Sequence, residues 1–337
     1  MSEFRKDIVS GDWILVASGS AKRPHFLKED RRKKTSIKKC PFEDPQKSGN
    51  GDALFWRPLP TASGENREKF SSWFVQVVKN KFPILNPHKV CPVTVKNGSE
   101  QSFGGVGFHE IVVTRNHARS LGFMTREELK LVLETYRERY RALSSEKCVE
   151  YVLIYHNNGL KAGATVGHPH SQIVALPIIP TDVKRSLDGS SRYYEKHKRC
   201  VHCTVIKDES RAKKRVIYKN KHFIVICPYA SHVSAEIRLF PITHNPRFED
   251  MHEAQYDSFV EAVRVVFAKL NKALHDPDYN FFIHTAPPKS KNYKHYHWHF
   301  EILPRTNIWG GVELGTGIEV VRILPENAAK ILRAAKV

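Results

Sequence analysis

Apolar residues along the first half of the chain follow two periodicities. Helical spacing follows Thr125, where Thr-Arg-Glu-Glu supplies an N-cap and early acidic residues, so a helix is predicted to about Leu143. Elsewhere, short runs rich in β-branched and aromatic residues are typical of strands that have one buried face. These predicted strands lie at residues 12–16, 72–78, 109–114, 151–155 and 172–176.

The second half repeats this order of elements. Each half reads as strand–strand–helix–strand–strand, which predicts an α+β fold built mainly from antiparallel pairs. We therefore expect two tandem modules, at residues 1–195 and 196–337, whose edge strands could join. In the second half, strands are predicted at residues 216–218, 223–227, 236–240, 280–284 and 297–303, and a helix at 257–274.

A histidine motif supports this duplication. The sequence His-Pro-His-Ser-Gln-Ile, which begins at His168, has a counterpart in His-Tyr-His-Trp-His-Phe-Glu-Ile, which begins at His295. Both continue into Leu-Pro, and His117 precedes His168 by the same distance as His244 precedes His295. A repeat of this kind indicates one structural unit used twice.

The first copy alone carries the residues that covalent chemistry on phosphorus needs. Neutral imidazole is a good nucleophile, so His170 is the candidate, with Gln172 as a donor beside it. The glycine-containing segment 157–165 would allow its backbone amides to approach a phosphate closely. The alternative is a strand with two surface histidines. In this alignment His297 matches His170, but segment 287–291 lacks the loop, so the second copy is interpreted as structural.

Each copy also contains a candidate metal site. Two ligands from one tight turn and two distant histidines are typical of tetrahedral zinc. The alternative for the second copy is a reduced surface Cys-x-x-Cys with unrelated histidines, and His202 within that turn is expected to be exposed. The predicted ligands are Cys40, Glu43, His117 and His168 in the first copy, and Cys200, Cys203, His244 and His295 in the second.

The chain of 337 residues has a formal net charge of +19, which attracts anions such as nucleotides, sugar phosphates or nucleic acid. Residues 25–66 are expected to be irregular, and the basic run 31–39 is interpreted as a solvated loop. Cys91, Cys148 and Cys227 stand in apolar contexts and are expected to be buried thiols. With no membrane-length apolar run and no signal-peptide core at the N-terminus, a cytoplasmic protein is expected.

Six short motifs occur in order along nearly the whole chain. Each is weak alone, but their fixed order is specific. They are Asp12-Trp-Ile-Leu-Val16, Ala21-Lys-Arg-Pro24, Asn80-Lys-Phe-Pro83, the Asn157 to Gln172 segment, His284-Thr-Ala-Pro287 and Gly311-Val-Glu313.

Together these motifs resemble the galactose-1-phosphate uridylyltransferase family, a branch of the histidine-triad (HIT) superfamily. The resemblance implies two HIT-like modules in tandem, with mostly antiparallel sheets and flanking helices. It also implies a ping-pong reaction of the type between UDP-glucose and galactose 1-phosphate. His170 would attack the α-phosphorus, hexose 1-phosphate would leave, and a second hexose 1-phosphate would accept the nucleotidyl group.

The resemblance also implies roles for individual residues. Gln172, acting with His170, would contact the α-phosphate, and Glu313 would bind sugar hydroxyls in the second module. A homodimer is expected, with zinc at one or two sites per chain and iron as an alternative at one of them. The other implied contacts are Gly163 and Thr165 to the phosphate, and Arg23, Asn80 and Asn157 to the nucleotide.

Three departures leave the substrate open. Glu43 stands where well-known members have a second cysteine, Ser171 where they often have glycine, and Val312 where tyrosine is common. A Ser-Gln pair with a second Cys-x-x-Cys resembles the plant-type ADP-glucose phosphorylases, so adenylyl transfer is the alternative function. Nucleic-acid binding is a remote alternative, since aromatic and basic residues interleave only at 291–299.

Overall fold

The computed structural model describes residues 2–17, 36–289 and 292–337. The predicted α+β class is confirmed, because strands and helices follow one another in the predicted order within each half. The strands are β1 (Glu3–Lys6), β2 (Trp13–Val16), β3 (Phe55–Pro58), β4 (Trp73–Lys79), β5 (Val95–Asn97), β6 (Glu100–Ser102), β7 (Phe108–Thr114), β8 (Tyr151–Asn158), β9 (His170–Leu176), β10 (Val216–Lys219), β11 (Phe223–Ile226), β12 (Ile237–Pro241), β13 (Tyr279–His284), β14 (His299–Pro304) and β15 (Val320–Val321).

Six α-helices accompany these strands in the described part of the chain. The helix predicted from Thr125 begins one residue later and ends at Ser144, and the one predicted at 257–274 begins one turn earlier. The helices are α1 (Arg126–Ser144), α2 (Thr181–His197), α3 (Val201–Ala212), α4 (Glu253–Leu274), α5 (Gly311–Thr316) and α6 (Pro325–Ala334).

One ten-stranded sheet runs through both halves in the order β10-β11-β12-β14-β13-β8-β9-β7-β4-β3, with every neighbouring pair antiparallel. The halves meet where β13 pairs with β8, with Tyr279 opposite Asn158 and Ile283 opposite Ile154. The edge strands of the two halves, which the sequence could not show to join, therefore pair directly. Smaller sheets consist of β1-β2-β15 and β5-β6.

The two faces of the large sheet have different roles. Along β9, Ser171, Ile173 and Ala175 point to the face covered by helices α1 and α4, because successive side chains of a strand alternate. His170 and Gln172 therefore share the opposite face. The main core lies on the helical side, where its largest fully buried side chains include Tyr136, Tyr140, Phe223, Phe259, Phe267 and Trp298.

Helix α1 begins with the predicted capping box. The Thr125 hydroxyl accepts a hydrogen bond from the Glu128 backbone amide at 3.2 Å, and the Glu128 carboxylate accepts one from the Thr125 amide at 2.9 Å. Both contacts satisfy amides that would otherwise have no partner at a helix N-terminus.

We expect Thr125→Ala to destabilise the fold by about 1 kcal/mol, because it removes this side-chain cap. Chemical denaturation would measure the change in the free energy of unfolding. Thr181→Ala is the matched control: Thr181 is also exposed and opens α2, whose N-cap makes no side-chain hydrogen bond. Equal losses in the two variants would show that the capping box does not stabilise α1.

Several expectations about cysteines and His202 change. Cys200 and Cys203 lie at the first turn of α3, a helix the sequence pattern did not predict, rather than in an isolated turn. His202 was expected to be exposed but is buried. Of the three cysteines expected to be buried thiols, only Cys227 is one. Cys91 and Cys148 instead form a disulfide, with their Cα atoms 5.2 Å apart.

The predicted boundary between residues 195 and 196 falls in the last turn of α2. Within 25–66, expected to be irregular, residues 55–58 form edge strand β3. Residues 31–35 of the basic run lie outside the described residues. In the described ranges we find no helix with the length and apolar character needed to cross a membrane.

Candidate active site and metal clusters

The candidate nucleophile opens β9 on the face of the sheet away from helices α1 and α4. His170 is 8% exposed, and Phe42 packs against its ring with centroids 4.8 Å apart. Its Nδ1–H donates to the His168 carbonyl at 2.8 Å. A carbonyl can only accept, so the proton sits on Nδ1 and the Nε2 lone pair is the nucleophilic one.

Burial also favours the uncharged form of His170. Desolvation lowers its pKa below the ordinary value, and the nearby His168 ring lowers it further, against an opposing effect of the hydrogen bond to the His168 carbonyl. A neutral ring with a free Nε2 is the form that can attack an electrophile.

The glycine segment forms a turn on the connection from β8 to β9, the strand that this nucleophile opens. Gly159 and Gly163 have φ values of 88° and 84°, in the left-handed region that favours glycine. A Cβ on Gly159 would come within 1.8 Å of Asp278 Oδ1, whose other oxygen accepts from the Lys161 amide at 2.8 Å. The turn is therefore held from outside by Asp278, and exposed Gly163 and Thr165 follow it.

Asn157 is anchored from the second module. The Asn280 amide donates to Asn157 Oδ1 at 2.7 Å and to the Ala162 carbonyl at 2.8 Å. Because its oxygen is used in this way, Asn157 can offer its amide group to a ligand. Strand β13 of the second half thus supports the loop of the first.

Gln172 has two partners that the sequence reasoning missed. Its Oε1 accepts from the His109 Nε2–H at 2.8 Å and from the Tyr155 hydroxyl at 2.9 Å. The alternation of side chains along a strand could have suggested Tyr155, since Tyr155 shares a face of β8 with Asn157. Asn80 lies against the His109 ring, with its Nδ2 3.3 Å from Nδ1 and 3.2 Å from Nε2, and its amide N–H can donate to whichever of the two carries no proton.

Beside this network lies a cavity of about 730 Å³, at the ends of β4 and β7. A cavity of this size, with mixed apolar and polar walls, is typical of a site for a nucleoside-sized molecule. Its wall includes Gly51, Leu54, Asn80, Leu85, Phe108 and His109.

Of the residues predicted to contact the nucleotide or the sugar, Arg23 lies outside the described residues. Glu313 lies on α5 in the second half, where its carboxylate accepts from the Gly310 amide at 2.9 Å. Exposed apolar residues surround it on the chain, among them Ile308 and Leu314 at 84% and 72% exposure.

The first predicted metal cluster assembles as expected. Potential ligand atoms of Cys40, Glu43, His117 and His168 lie within 4.8 Å of one another. Cys40 Sγ is 3.4 Å from His168 Nδ1, and His117 Nδ1 is 2.5 Å from Glu43 Oε1. The cluster therefore joins the Cys40 turn to the start of β9.

The second cluster contains His297 in place of the predicted His295. Cys203 Sγ lies 3.4 Å from His244 Nδ1 and 3.6 Å from His297 Nδ1, and Cys200 completes the set. The prediction of His295 as a ligand is corrected. The ring that reaches the two thiols belongs to His297, two residues farther along the chain and two residues before β14 begins.

Both clusters fit a bound metal ion. His168 Nε2–H donates to the Thr114 carbonyl at 2.6 Å, and His297 Nε2–H donates to the Pro241 carbonyl at 3.0 Å. Each bond leaves Nδ1 deprotonated and directed at its cluster, as a metal-bound histidine requires. A hydrogen bond between the two thiols lowers the pKa of Cys200, which favours its thiolate, the form that binds metal.

The same two-residue shift identifies the counterpart of the nucleophile. His299 Nδ1 donates to the His297 carbonyl at 3.3 Å, as His170 does to His168, so His299 and not His297 is equivalent to His170. Glu301 occupies the position in β14 that corresponds to Gln172 in β9, two residues after the histidine. Arg238 Nε lies 3.4 Å from the Glu301 carboxylate. Histidines 284 and 299 group with Glu301, but Arg238 already compensates that carboxylate's charge without an ion.

Comparison with known proteins agrees with this architecture. Residues 1–180 match the family described as galactose-1-phosphate uridyl transferase, N-terminal domain, and residues 209–308 match the HIT domain. The chain belongs to the galactose-1-phosphate uridylyltransferase family. It is therefore an enzyme of a nucleotidyltransferase family, as its motifs indicated.

Relatives named for two different activities are similar to this chain along nearly its whole length. An ADP-glucose phosphorylase of Arabidopsis thaliana is 29% identical, over 98% of this chain and 92% of that protein. A galactose-1-phosphate uridylyltransferase of Thermotoga maritima is 26% identical, over 100% of this chain and 99% of that protein. The crystal structure of an Arabidopsis thaliana ADP-glucose phosphorylase with bound ADP-glucose superposes with a TM-score of 0.81, at 26% identity, over 100% of this chain and 99% of that one.

Proposed function

We propose that this enzyme cleaves an ADP-hexose with inorganic phosphate, yielding ADP and hexose 1-phosphate, through a nucleotidyl group carried on His170. The observation that carries the proposal is the ring orientation of His170. Its Nδ1–H donates to the His168 carbonyl at 2.8 Å, so the Nε2 lone pair is the one that remains for nucleophilic attack.

In the first step the Nε2 lone pair attacks the α-phosphorus. The new P–N bond forms as the bond from the α-phosphorus to the bridging oxygen breaks, and hexose 1-phosphate leaves with that electron pair. In the second step an oxygen of inorganic phosphate attacks the same phosphorus, ADP departs, and neutral His170 is regenerated. The nucleotidyl-imidazole is cationic, and its Nδ1–H donates to His168, which stabilises that charge.

The residues around His170 suit the charge that develops on the phosphate oxygens. Gln172 keeps its Oε1 on His109 and Tyr155, so its amide hydrogens can serve the phosphate. Gly163 and Thr165 are exposed on the turn and would add donors from their backbone amides and the threonine hydroxyl. Preorganised donors of this type are a major source of rate acceleration.

Adenylyl transfer is supported by Ser171 and by the relatives. The Ser171 hydroxyl contacts Tyr136 Oη and, at 2.9 Å, His156 Nδ1 on the helical side of the sheet, contacts a glycine could not make. An ADP-glucose phosphorylase of Arabidopsis thaliana is similar to this chain over 98% of the chain's length. A cavity of about 730 Å³ also has room for a purine nucleoside.

Uridylyl exchange between UDP-glucose and galactose 1-phosphate is the second candidate. Full-length similarity to the Thermotoga maritima galactose-1-phosphate uridylyltransferase favours it. The two candidates share His170 and differ in the base bound and in the acceptor of the second step.

We expect kcat/KM for ADP-glucose with phosphate to exceed that for UDP-glucose with galactose 1-phosphate by at least about tenfold, a difference of about 1.4 kcal/mol in transition-state binding. Coupled assays of hexose 1-phosphate release would measure both reactions. Crossing the acceptors, so that each nucleotide sugar meets each acceptor, separates base preference from acceptor preference. A higher value for the UDP-glucose reaction would replace the first candidate with the second.

We infer that zinc occupies the two clusters as a structural ion. Two thiols and two imidazoles in the second cluster are a typical zinc donor set, and Glu43 supplies an acceptable oxygen ligand in the first. Bound zinc would cross-link each turn to its histidine strand and take no part in the transfer. Iron at the first cluster is the alternative.

We also propose a homodimer that completes the sugar site. Glu313 lies on α5 among exposed apolar residues, including Ile308 and Leu314, and such surfaces are typical of interaction sites. A partner subunit could use this segment to bring Glu313 to the hexose.

A further inference from the structure

We infer that His109 is a positioning residue that fixes the orientation of the Gln172 amide, and that the Ile84 backbone N–H sets the tautomer of His109. The inference rests on the proposed function, in which Gln172 donates to the α-phosphate. It concerns a residue for which neither the motifs nor the metal clusters give a role.

The argument begins at the loop that follows β4. The Ile84 N–H donates to His109 Nδ1 at 3.2 Å. A backbone N–H can only donate, so Nδ1 must carry no hydrogen. Neutral His109 therefore carries its proton on Nε2. Desolvation lowers the pKa of His109, which favours this neutral form.

The second step concerns the amide of Gln172. With its proton on Nε2, His109 donates to Gln172 Oε1 at 2.8 Å, while the Tyr155 hydroxyl donates to the same oxygen at 2.9 Å. Oxygen and nitrogen of a glutamine amide have nearly the same shape, so only such partners decide which way it faces. The Tyr155 hydroxyl could donate or accept, so the His109 Nε2–H decides, and the atom that faces it must be the oxygen.

The opposite amide orientation would create a conflict. With the Gln172 amino group facing His109, His109 Nε2 would have to accept and Nδ1 would carry the proton. That proton would then face the Ile84 N–H, leaving two donors in contact at a site where His109 is only 7% exposed. The cost of a buried unsatisfied donor therefore keeps the Gln172 nitrogen available for the phosphate.

A double-mutant cycle in single-turnover nucleotidylation tests this inference, with the rate of His170 labelling by ADP-glucose as readout. His109→Phe keeps a ring of similar size but removes both nitrogens. We expect it to slow labelling by about 10- to 100-fold, as for the loss of a donor to a developing oxyanion. The concentration of ADP-glucose at half-maximal rate should change by less than about threefold, because His109 acts on the transition state through Gln172.

The cycle is completed in a Gln172→Met background. There we expect His109→Phe to change the labelling rate by less than about twofold, since residues that act as a unit are not additive. The same loss in both backgrounds would indicate a purely structural role and overturn the inference. No loss in the wild-type background would overturn it as well.

Tyr155→Phe provides a second route if His109→Phe fails to fold. It removes a single hydroxyl from a different strand and should show the same dependence on Gln172 with a smaller effect. Additive losses for Tyr155→Phe and Gln172→Met would contradict the inference. A wild-type protein that cleaves ADP-glucose without labelling of His170 would overturn the proposed function together with this inference. If His170 is labelled but the mutant cycle shows additive losses, this inference alone fails.

Discussion

His170→Asn is expected to lower the rate of nucleotide-sugar cleavage by at least about 10⁴-fold, in line with removal of the nucleophile from other covalent catalysts. The Asn side chain can still donate to the His168 carbonyl from the position of Nδ1. It has no atom in place of Nε2, so the structural hydrogen bond is retained while the attacking lone pair is lost. Steady-state release of hexose 1-phosphate measures the effect.

His299→Asn is the matched control. His299 makes the same backbone contact in the second half, to the His297 carbonyl, and is equally buried. We expect its kcat to stay within about threefold of wild type, since its neighbours Glu301 and Arg238 form an ion pair with no adjacent glycine turn. A His170→Asn protein that keeps more than about a hundredth of wild-type kcat would contradict nucleophilic catalysis by His170.

His297→Ala is expected to remove one equivalent of bound zinc per chain and to lower the midpoint of thermal unfolding by at least about 5 °C. His297 Nδ1 lies 3.6 Å from Cys203 Sγ, and the ring is fully buried, so its loss removes both a metal ligand and a cross-link between α3 and the start of β14. Atomic emission spectrometry and calorimetry measure the two effects.

His295→Ala is the control for that prediction, because it removes a histidine two residues away that lies outside the cluster. It should keep its zinc and unfold within about 2 °C of wild type. Loss of zinc in the His295 variant and retention in the His297 variant would reverse the assignment. Retention in both variants would remove His297 from the ligand set.

The choice between these two histidines shows where the sequence pattern runs out. His295, His297 and His299 are spaced by two, so all three satisfy the alternation of a strand and any adjacent pair can be matched to His168 and His170. Aligning the Leu-Pro ends selected His295. The structure selects His297, because its Nε2 reaches the Pro241 carbonyl three residues before His244, as His168 reaches Thr114 before His117.

The strands were predictable from their β-branched and aromatic residues, and α1 from the Thr125 capping box and its apolar helical spacing. Burial alternates clearly only along β8, whereas β7 and most of β9 are buried on both faces. Helices α2 and α3 were missed, since only four positions of each are buried, which leaves no clear helical period of apolar residues. Pairing of Cys91 with Cys148 depends on two loops meeting in space, which local patterns do not encode.

The candidate site was predictable where a motif holds its residues close in sequence. His170 and Gln172 lie on β9, which pairs with β8, and Gln172 stands opposite Tyr155. His109 comes from a third strand and was read only as the start of β7. Its contact with Gln172 follows from strand pairing, in which Ile111 stands opposite Gln172.

The most direct test of the central claim is intact-mass spectrometry after wild-type enzyme is mixed with ADP-glucose in the absence of phosphate, followed by peptide mapping. We predict one adenylyl group per chain, on the peptide containing His170, which added phosphate releases as ADP. Turnover of ADP-glucose and phosphate with no adduct on His170, or with the adduct on another residue, would contradict transfer through a nucleotidyl-histidine at this position.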